Sequence, residues 1–226
     1  MANKQRILIG CPTYGQNDAR FTVTMFMLAK FPGTELMQVR RSPVDVARNA
    51  LMEYALKNGH DYLFMIDDDM AIEEGHPAGM LDALIQEMEK DKDLGVIAPR
   101  AYKRTTPFYP CVFKKRTDGN YDPIDAVDKG LVDVDAIHCA VTLLRPSILE
   151  KVPKPWFSFE RVNGALFSED IAFTRKLKDA GVKMRCHTDI QVQHISDPIL
   201  VDRKAYETYK QAIAFEGKEK SPILRP

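Results

Sequence analysis

A chain of 226 residues, 45% of them hydrophobic and 28% charged, is long enough to bury a sizeable core and too apolar to remain disordered. Its 32 Lys and Arg balance its 32 Asp and Glu, so no overall charge draws it to nucleic acid or to an acidic membrane surface. No apolar stretch reaches the length of a membrane span and no signal-peptide pattern opens the chain, so the expected setting is the cytoplasm, with Cys11, Cys111, Cys139 and Cys186 scattered and reduced.

Arg6–Gly10 is an apolar, β-branched run that predicts a strand, followed by the turn sequence Cys-Pro-Thr-Tyr-Gly at 11–15. Phe21–Phe31 is a dense apolar segment that reads as a buried helix stopped before Pro32-Gly33, and Leu36–Arg40 as a second strand. Ser42 as N-cap, Pro43 at N1 and Asp45 at N3 make a helix start, and Asn58-Gly59 makes its stop. Tyr62–Ile66 has the length and composition of a buried strand. An amphipathic helix follows, with Met80, Leu81, Leu84, Ile85 and Met88 facing inward, and then a short strand over Gly95–Ala98. Strand–helix alternation of this kind predicts a parallel sheet with helices on both faces. Residues 99–135, rich in Pro, Gly, aromatics and charge, read as irregular structure with hairpins. Beyond them, Val132–Leu144 has strand character, Pro146–Lys151 resembles a short helix and Pro153–Phe157 a stiff turn. A helix over Ser168–Ala180 closes on Gly181, Lys183–His187 and Ile190–Ile195 are two short strands, and 202–216 is a final helix before a Lys/Pro tail. No repeat, low-complexity tract or linker divides the chain, so the expectation is one α/β domain.

The chemistry-bearing feature is Asp67-Asp68-Asp69, three carboxylates directly after a buried strand. Open α/β sheets bind their ligands at the carboxyl ends of their strands. Three unpaired acids repel one another in a low-dielectric site, and a divalent cation with a taste for hard oxygen ligands, magnesium or manganese, relieves that repulsion. The alternative is a solvated acidic turn.

Taken in order, Pro12-Thr13-Tyr14 after the first strand, Asp45-x-x-Arg48-Asn49 opening a helix, Asp67-Asp68-Asp69, Trp156-Phe157, Ser168-Glu169-Asp170, Ala180-Gly181 and Val192-Gln193-His194 resemble the GT-A fold nucleotide-sugar glycosyltransferases, closest to the family 2-like branch. The likeness spans residues 5–196. It implies a GT-A-like, Rossmann-like, mostly parallel sheet flanked by helices, with a smaller mixed β region on the acceptor side. The halves would be 1–98 for the nucleotide and 99–200 for the acceptor, with 201–226 as C-terminal helix and tail. By resemblance, Asp67, Asp69 and His194 hold Mn2+ (or Mg2+), with Asp69 the direct ligand and Asp67 nearer the donor ribose or a metal-bound water. Pro12, Thr13, Tyr14, Asp45, Arg48, Asp67 and Asp68 are the donor contacts, with Arg48 a candidate for a phosphate or base. Asp170 is the general base beside Glu169, both at a helix N-terminus whose dipole favours the anion. Each has a structural alternative: a half-buried strand histidine for His194, helix-start acids for Asp45, Glu169 and Asp170, and a core-edge aromatic for Tyr14.

The reaction so implied moves one sugar from a nucleotide diphosphate donor, UDP by fold-level analogy, to an acceptor hydroxyl, with inversion. The acceptor is open among glycan, small molecule, protein and modified nucleic acid. Arg100, Lys103, Arg104, Lys114, Lys115 and Arg116 interleave with Tyr102, Phe108, Tyr109 and Phe113, a pattern that can grip a phosphorylated or sugar acceptor or be a solvated loop. His138-Cys139 stands where the family often has a small-residue turn, which puts the acceptor class in question. Rival readings are a sugar-nucleotide pyrophosphorylase or nucleotidyltransferase, which would want a Gly-rich, Arg-containing phosphate loop after the first strand, and an aspartyl phosphohydrolase, which would want its Asp motif there.

Overall fold

A computed structural model of the chain describes residues 5–15, 17–72, 77–125, 129–162, 165–196 and 199–215. The first half runs β1 (Ile7–Thr13), α1 (Ala19–Leu28), β2 (Thr34–Arg40), α2 (Val44–Lys57), β3 (Tyr62–Ile66), the two-residue β4 (Met70–Ala71), α3 (Pro77–Lys90) and β5 (Leu94–Arg100). The second half is built of short strands: β6 (Val112–Lys115), β7 (Tyr121–Pro123), β8 (Leu131–Asp133), β9 (Ala136–Ile137) and β10 (Val141–Leu144), then a 3-10 helix over Pro146–Lys151. After β11 (Glu160–Val162) and β12 (Ala165–Phe167) come α4 (Glu169–Asp179), β13 (Lys183–Gln191), β14 (Gln193–Ser196), β15 (Ile199–Val201) and α5 (Arg203–Phe215).

Seven strands form the main sheet in the order β2-β1-β3-β10-β5-β13-β8. The expected parallel arrangement holds for β2, β1 and β3 and again for β5 and β13, but β10 runs antiparallel between β3 and β5, and β8 is antiparallel at the edge. The sheet is therefore mixed and mostly parallel. β10 earns that central place because Val141–Leu144 is wholly buried, as a strand with neighbours on both edges and layers on both faces must be. Its insertion next to β3 also brings residues 138–140 beside the end of the Asp67 strand.

Helices cover both faces. α1 and α3 pack on one face through Phe21, Met25, Leu28, Leu81, Leu84 and Met88 against Ile7, Ile9, Phe64 and Ile66. The five apolar positions expected to face inward on α3 are all buried. On the other face, Met52 and Ala55 of α2 and Phe173 and Leu177 of α4 meet Leu8, Leu63, Val96, Trp156 and Phe157. Gly10 lets α2 approach β1 closely: a Cβ there would stand 2.9 Å from Leu51 Cδ2.

Local signals held with small shifts. α2 begins one residue later than Ser42 predicts, with Pro43 as N-cap and no side-chain cap, so Asp45 falls at the second helical position. Its stop at Asn58-Gly59 is as expected, Gly59 taking a positive φ of 66°. Gly181, with φ of 74°, closes α4 in the same way. β1 continues through Pro12 and Thr13, which are buried sheet residues rather than loop. The Lys/Pro tail lies outside the described residues. Among the described residues no helix is long and apolar enough to cross a membrane, and the four cysteines are free.

Candidate active site

The three acids turn the chain out of β3. Asp67 N–H donates to Ala140 O of the segment leading into β10 (2.7 Å), and Met70 N–H donates back to Asp67 O (3.2 Å). β4 then pairs antiparallel with β14, setting His194 opposite Met70, while Ile195 N–H donates to Asp69 O (2.7 Å). This small ladder is what delivers a histidine 125 positions further on to the side of Asp69: His194 Nε2 lies 3.3 Å from Asp69 Oδ2. His194 Nδ1–H donates to Tyr102 O (2.8 Å), which fixes the tautomer and leaves Nε2 facing the carboxylate. Burial works against the imidazolium, but the bond to Asp69 outweighs it and holds His194 above its usual pKa; the same bond overcomes burial to hold Asp69 below its own.

The centre of the site is Arg48, 2% exposed, on α2. Its Nη2 donates to both oxygens of Asp67 (3.0 and 2.7 Å), and its Nη1 donates to Glu169 Oε1 (2.6 Å) and to Asp170 Oδ1. The guanidinium lies over the Phe157 ring, 5.5 Å from its centroid. One planar fork thus joins the end of β3 to the first turn of α4, a task for which Arg is suited and Lys is not. Both Nη groups, expected to reach a donor phosphate or base, donate here to carboxylates. Asn49, next to it, receives Phe157 N–H on its Oδ1 (3.1 Å) and donates to Phe157 O (2.8 Å), supporting the loop as its place in the motif predicts.

Glu169 and Asp170 both sit in the first turn of α4. Asp170 is the more open of the two, with 23% of its side chain exposed against 10% for Glu169. Its Oδ2 accepts Cys139 N–H (3.2 Å), so the bulky His138-Cys139 turn contributes a backbone donor to Asp170. The imidazole of His138 is buried against Pro99 O, and burial pushes its pKa down to about 4.

Other expected residues take different places. Asp68 Oδ2 accepts from Thr13 Oγ1 (2.6 Å), and Thr13 Oγ1 also receives Gly15 N–H (2.9 Å), so this acid ties the turn after β1 to the triplet. Pro12 is buried in β1, whereas Tyr14 is 72% exposed and does not fill the core edge. Among the interleaved aromatics, Tyr102 and Phe113 are core residues. Arg104, legible in sequence only as one of the basic residues interleaved with aromatics, donates from Nη1 to Asp69 Oδ2 (2.9 Å), a partner 35 residues away that no local pattern marks. A cavity of about 270 Å3 against α1 and β4, lined in part by Val23, Thr24 and Ile72, touches none of these acids.

Whether a divalent cation fits can be judged from the donor set. Among the described residues no three His, Cys, Asp or Glu side chains surround a common point. Asp67, expected as a third ligand, accepts from Arg48 Nη2 on both its oxygens. Asp69 and His194 remain as an oxygen–nitrogen pair suited to Mn2+, with room in its coordination for ligand phosphates and water. The charge count agrees: among the described residues Asp67, Asp69, Glu169 and Asp170 are paired with Arg48, Arg104 and His194, while Asp68 accepts from Thr13, a surplus of negative charge even with the imidazole protonated. Burial pushes Asp67 up to about 6 despite Arg48, and it raises Glu169 as well, with Asp170 adding to it.

That surplus predicts a pH dependence. A carboxyl raised in the folded state contributes stability that is complete below its unfolded value and is lost as pH rises through the folded one. For Asp67 the window runs from 3.8 to about 6, and raised Glu169 and His194 act in the same sense. Thermal melts of the metal-free protein are therefore expected to show Tm falling between about pH 5 and pH 7, with Asp67→Asn flattening the slope. A Tm that rose across this interval would contradict the assigned charge surplus.

Comparison with known proteins gives a fold. No family model and no curated protein matches the sequence. Among solved structures, protein A197 from STIV superposes with a TM-score of 0.61 at 18% identity, covering 87% of this chain and 93% of its own. A UDP-glucose pyrophosphorylase complexed with UDP-glucose superposes with a TM-score of 0.53 at 10% identity, covering 95% of this chain and 99% of its own. The architecture is accordingly the GT-A-like fold of nucleotide-diphospho-sugar transferases and nucleotidyltransferases.

Proposed function

We propose that the protein is a metal-dependent glycosyltransferase that moves a single sugar from a nucleotide diphosphate donor, UDP-linked by fold-level analogy, to an acceptor hydroxyl. The observation that carries this reading is the Arg48 bridge, which holds a carboxylate at the ligand-binding end of β3 and a carboxylate at the start of α4 in one site.

In this reading Asp69 and His194 hold Mn2+, whose chemistry when bound is Lewis-acid stabilisation of the departing nucleoside diphosphate. Thr13 and Asp68 set the turn that carries Tyr14 to the donor base. Asp45 stands in the first turn of α2, near enough in sequence to join the donor contacts. Asp170 accepts the proton of the acceptor hydroxyl as its oxygen attacks the anomeric carbon from the face opposite the diphosphate, so configuration inverts. Arg48 and Cys139 N–H hold Asp170 aimed at that hydroxyl, and Glu169 shares the guanidinium behind it.

Calorimetric titration of UDP, GDP and dTDP, each with and without Mn2+, tests the donor site. One nucleotide should bind tightly only with metal. Asp69→Asn and His194→Ala should each weaken that metal-dependent binding by roughly 100-fold or more, since loss of an outer-shell partner alone costs ~10–100-fold. Full metal-dependent binding in both variants would sink the assignment. A second reading, sugar-nucleotide pyrophosphorylase, rests on the fold shared with UDP-glucose pyrophosphorylase. It predicts release of UTP when pyrophosphate is added to a UDP-sugar, which a glycosyltransferase does not give. Against it, Arg20, the first described cation after β1 in sequence, is already paired with Asp18.

A further inference from the structure

Arg104 stands where the metal is expected to act. Its guanidinium donates to the same Asp69 oxygen that His194 approaches, so this carboxylate already has a cation. A divalent ion and a guanidinium cannot share one carboxylate oxygen without strong repulsion. One of them must leave, and Arg104 is free to do so: its side chain is 56% exposed, on a long flexible stem, with Asp69 as its hydrogen-bond partner among the described residues.

The backbone around Arg104 is built, not loose. The turn over residues 103–109 is closed at its base by the Tyr102–Pro110 bridge and by Lys103 N–H donating to Tyr109 O (2.9 Å). Phe108 N–H donates to Thr105 O, and Phe108 holds a φ of 52°, a left-handed conformation unfavourable for an aromatic residue. Its ring is held edge-on by Tyr209 of α5 at 5.6 Å between centroids. Tyr102, whose carbonyl orients His194, is stacked in turn on Tyr206 of the same helix at 5.2 Å. The turn that presents Arg104 and the carbonyl that aims His194 are therefore anchored together, and only the arginine side chain needs to swing.

We infer that Arg104 is a resident counter-ion of Asp69 that the metal displaces, and that it then transfers to the diphosphate of the donor, making metal and nucleotide bind cooperatively. The inference rests on the donor-site reading above. With metal alone, Arg104 loses Asp69 and gains nothing. With metal and nucleoside diphosphate together, it exchanges one oxyanion for another at the same end of the sheet, a charge-assisted bond in either state. Linkage requires that the nucleotide tighten the metal by the same factor as the metal tightens the nucleotide.

Mn2+ binding is read from the resonance of the free ion, with and without UDP, GDP or dTDP, in the wild-type protein, Arg104→Gln and the neighbouring Lys103→Gln. Arg104→Gln should bind Mn2+ alone about tenfold more tightly, bind the metal-dependent nucleotide about tenfold more weakly, and lose about tenfold of the coupling, within the usual range of such effects. Lys103→Gln should behave as wild type. Unchanged Mn2+ affinity in nucleotide-free Arg104→Gln, or an equal shift in Lys103→Gln, overturns the inference while leaving the donor site standing. If wild type binds no Mn2+ with any of the three nucleotides, the donor-site reading fails and takes the inference with it.

Discussion

Asp170→Asn is expected to lower kcat for sugar transfer by ~10²–10⁴-fold, the range a positioned general base contributes, while metal-dependent nucleotide affinity stays within a few-fold of wild type. The physical case is the difference between two neighbouring acids. Asp170 is the more exposed, its two oxygens held by Arg48 and by Cys139 N–H, whereas Glu169 lies deeper on the same guanidinium. Asparagine keeps the shape and the bond from Cys139 but cannot take a proton. The fold should tolerate it, because it removes one negative charge from a cluster with too many. Glu169→Gln should cost much less in kcat. Comparable losses in the two variants would move the base assignment to the pair, and a larger loss in Glu169→Gln would reverse it.

Arg48→Met should lower Tm by about 10 °C. Removing one partner of a buried ion pair costs ~3–5 kcal/mol, and in a domain of this size each kcal/mol shifts Tm by roughly 2–4 °C. Three carboxylates, Asp67, Glu169 and Asp170, would be left facing one another without a cation. A double-mutant cycle separates this from lost packing on Phe157. Adding Glu169→Gln or Asp67→Asn to Arg48→Met should restore part of the lost stability, because each removes one of the stranded charges. Strict additivity in both cycles would show that Arg48 acts through packing alone. Transfer activity should fall in Arg48→Met as well, by loss of the partner that aims Asp170.

Much of the fold was legible because its signals are local. The alternation of strand and helix through residue 100, the inward stripe of α3 and the glycine stops at 59 and 181 depend on periodicity and backbone freedom, which neighbouring residues fix. In the first half the expected elements shifted only at their ends, where Pro43 rather than Ser42 capped α2 and where β1 ran on through Pro12 and Thr13, whereas Lys183–Gln191 forms one strand across the break expected after His187. The short strands after residue 110 were legible only as a region, since runs of two to four residues owe their pairing to partners far along the chain.

The acids of the candidate site were likewise visible in the sequence, because a carboxylate triplet after an apolar strand is costly unless something neutralises it. What neutralises it was not visible. That Arg48 faces Asp67, Glu169 and Asp170, that β10 enters the sheet antiparallel beside β3, and that Arg104 and His194 meet on one oxygen of Asp69 are contacts between residues 19 to 125 positions apart. Residue types and local order determined the elements and which groups are charged. Only the tertiary structure decided which charges neutralise which, because a buried carboxylate takes the cation that the packing of distant elements brings to it.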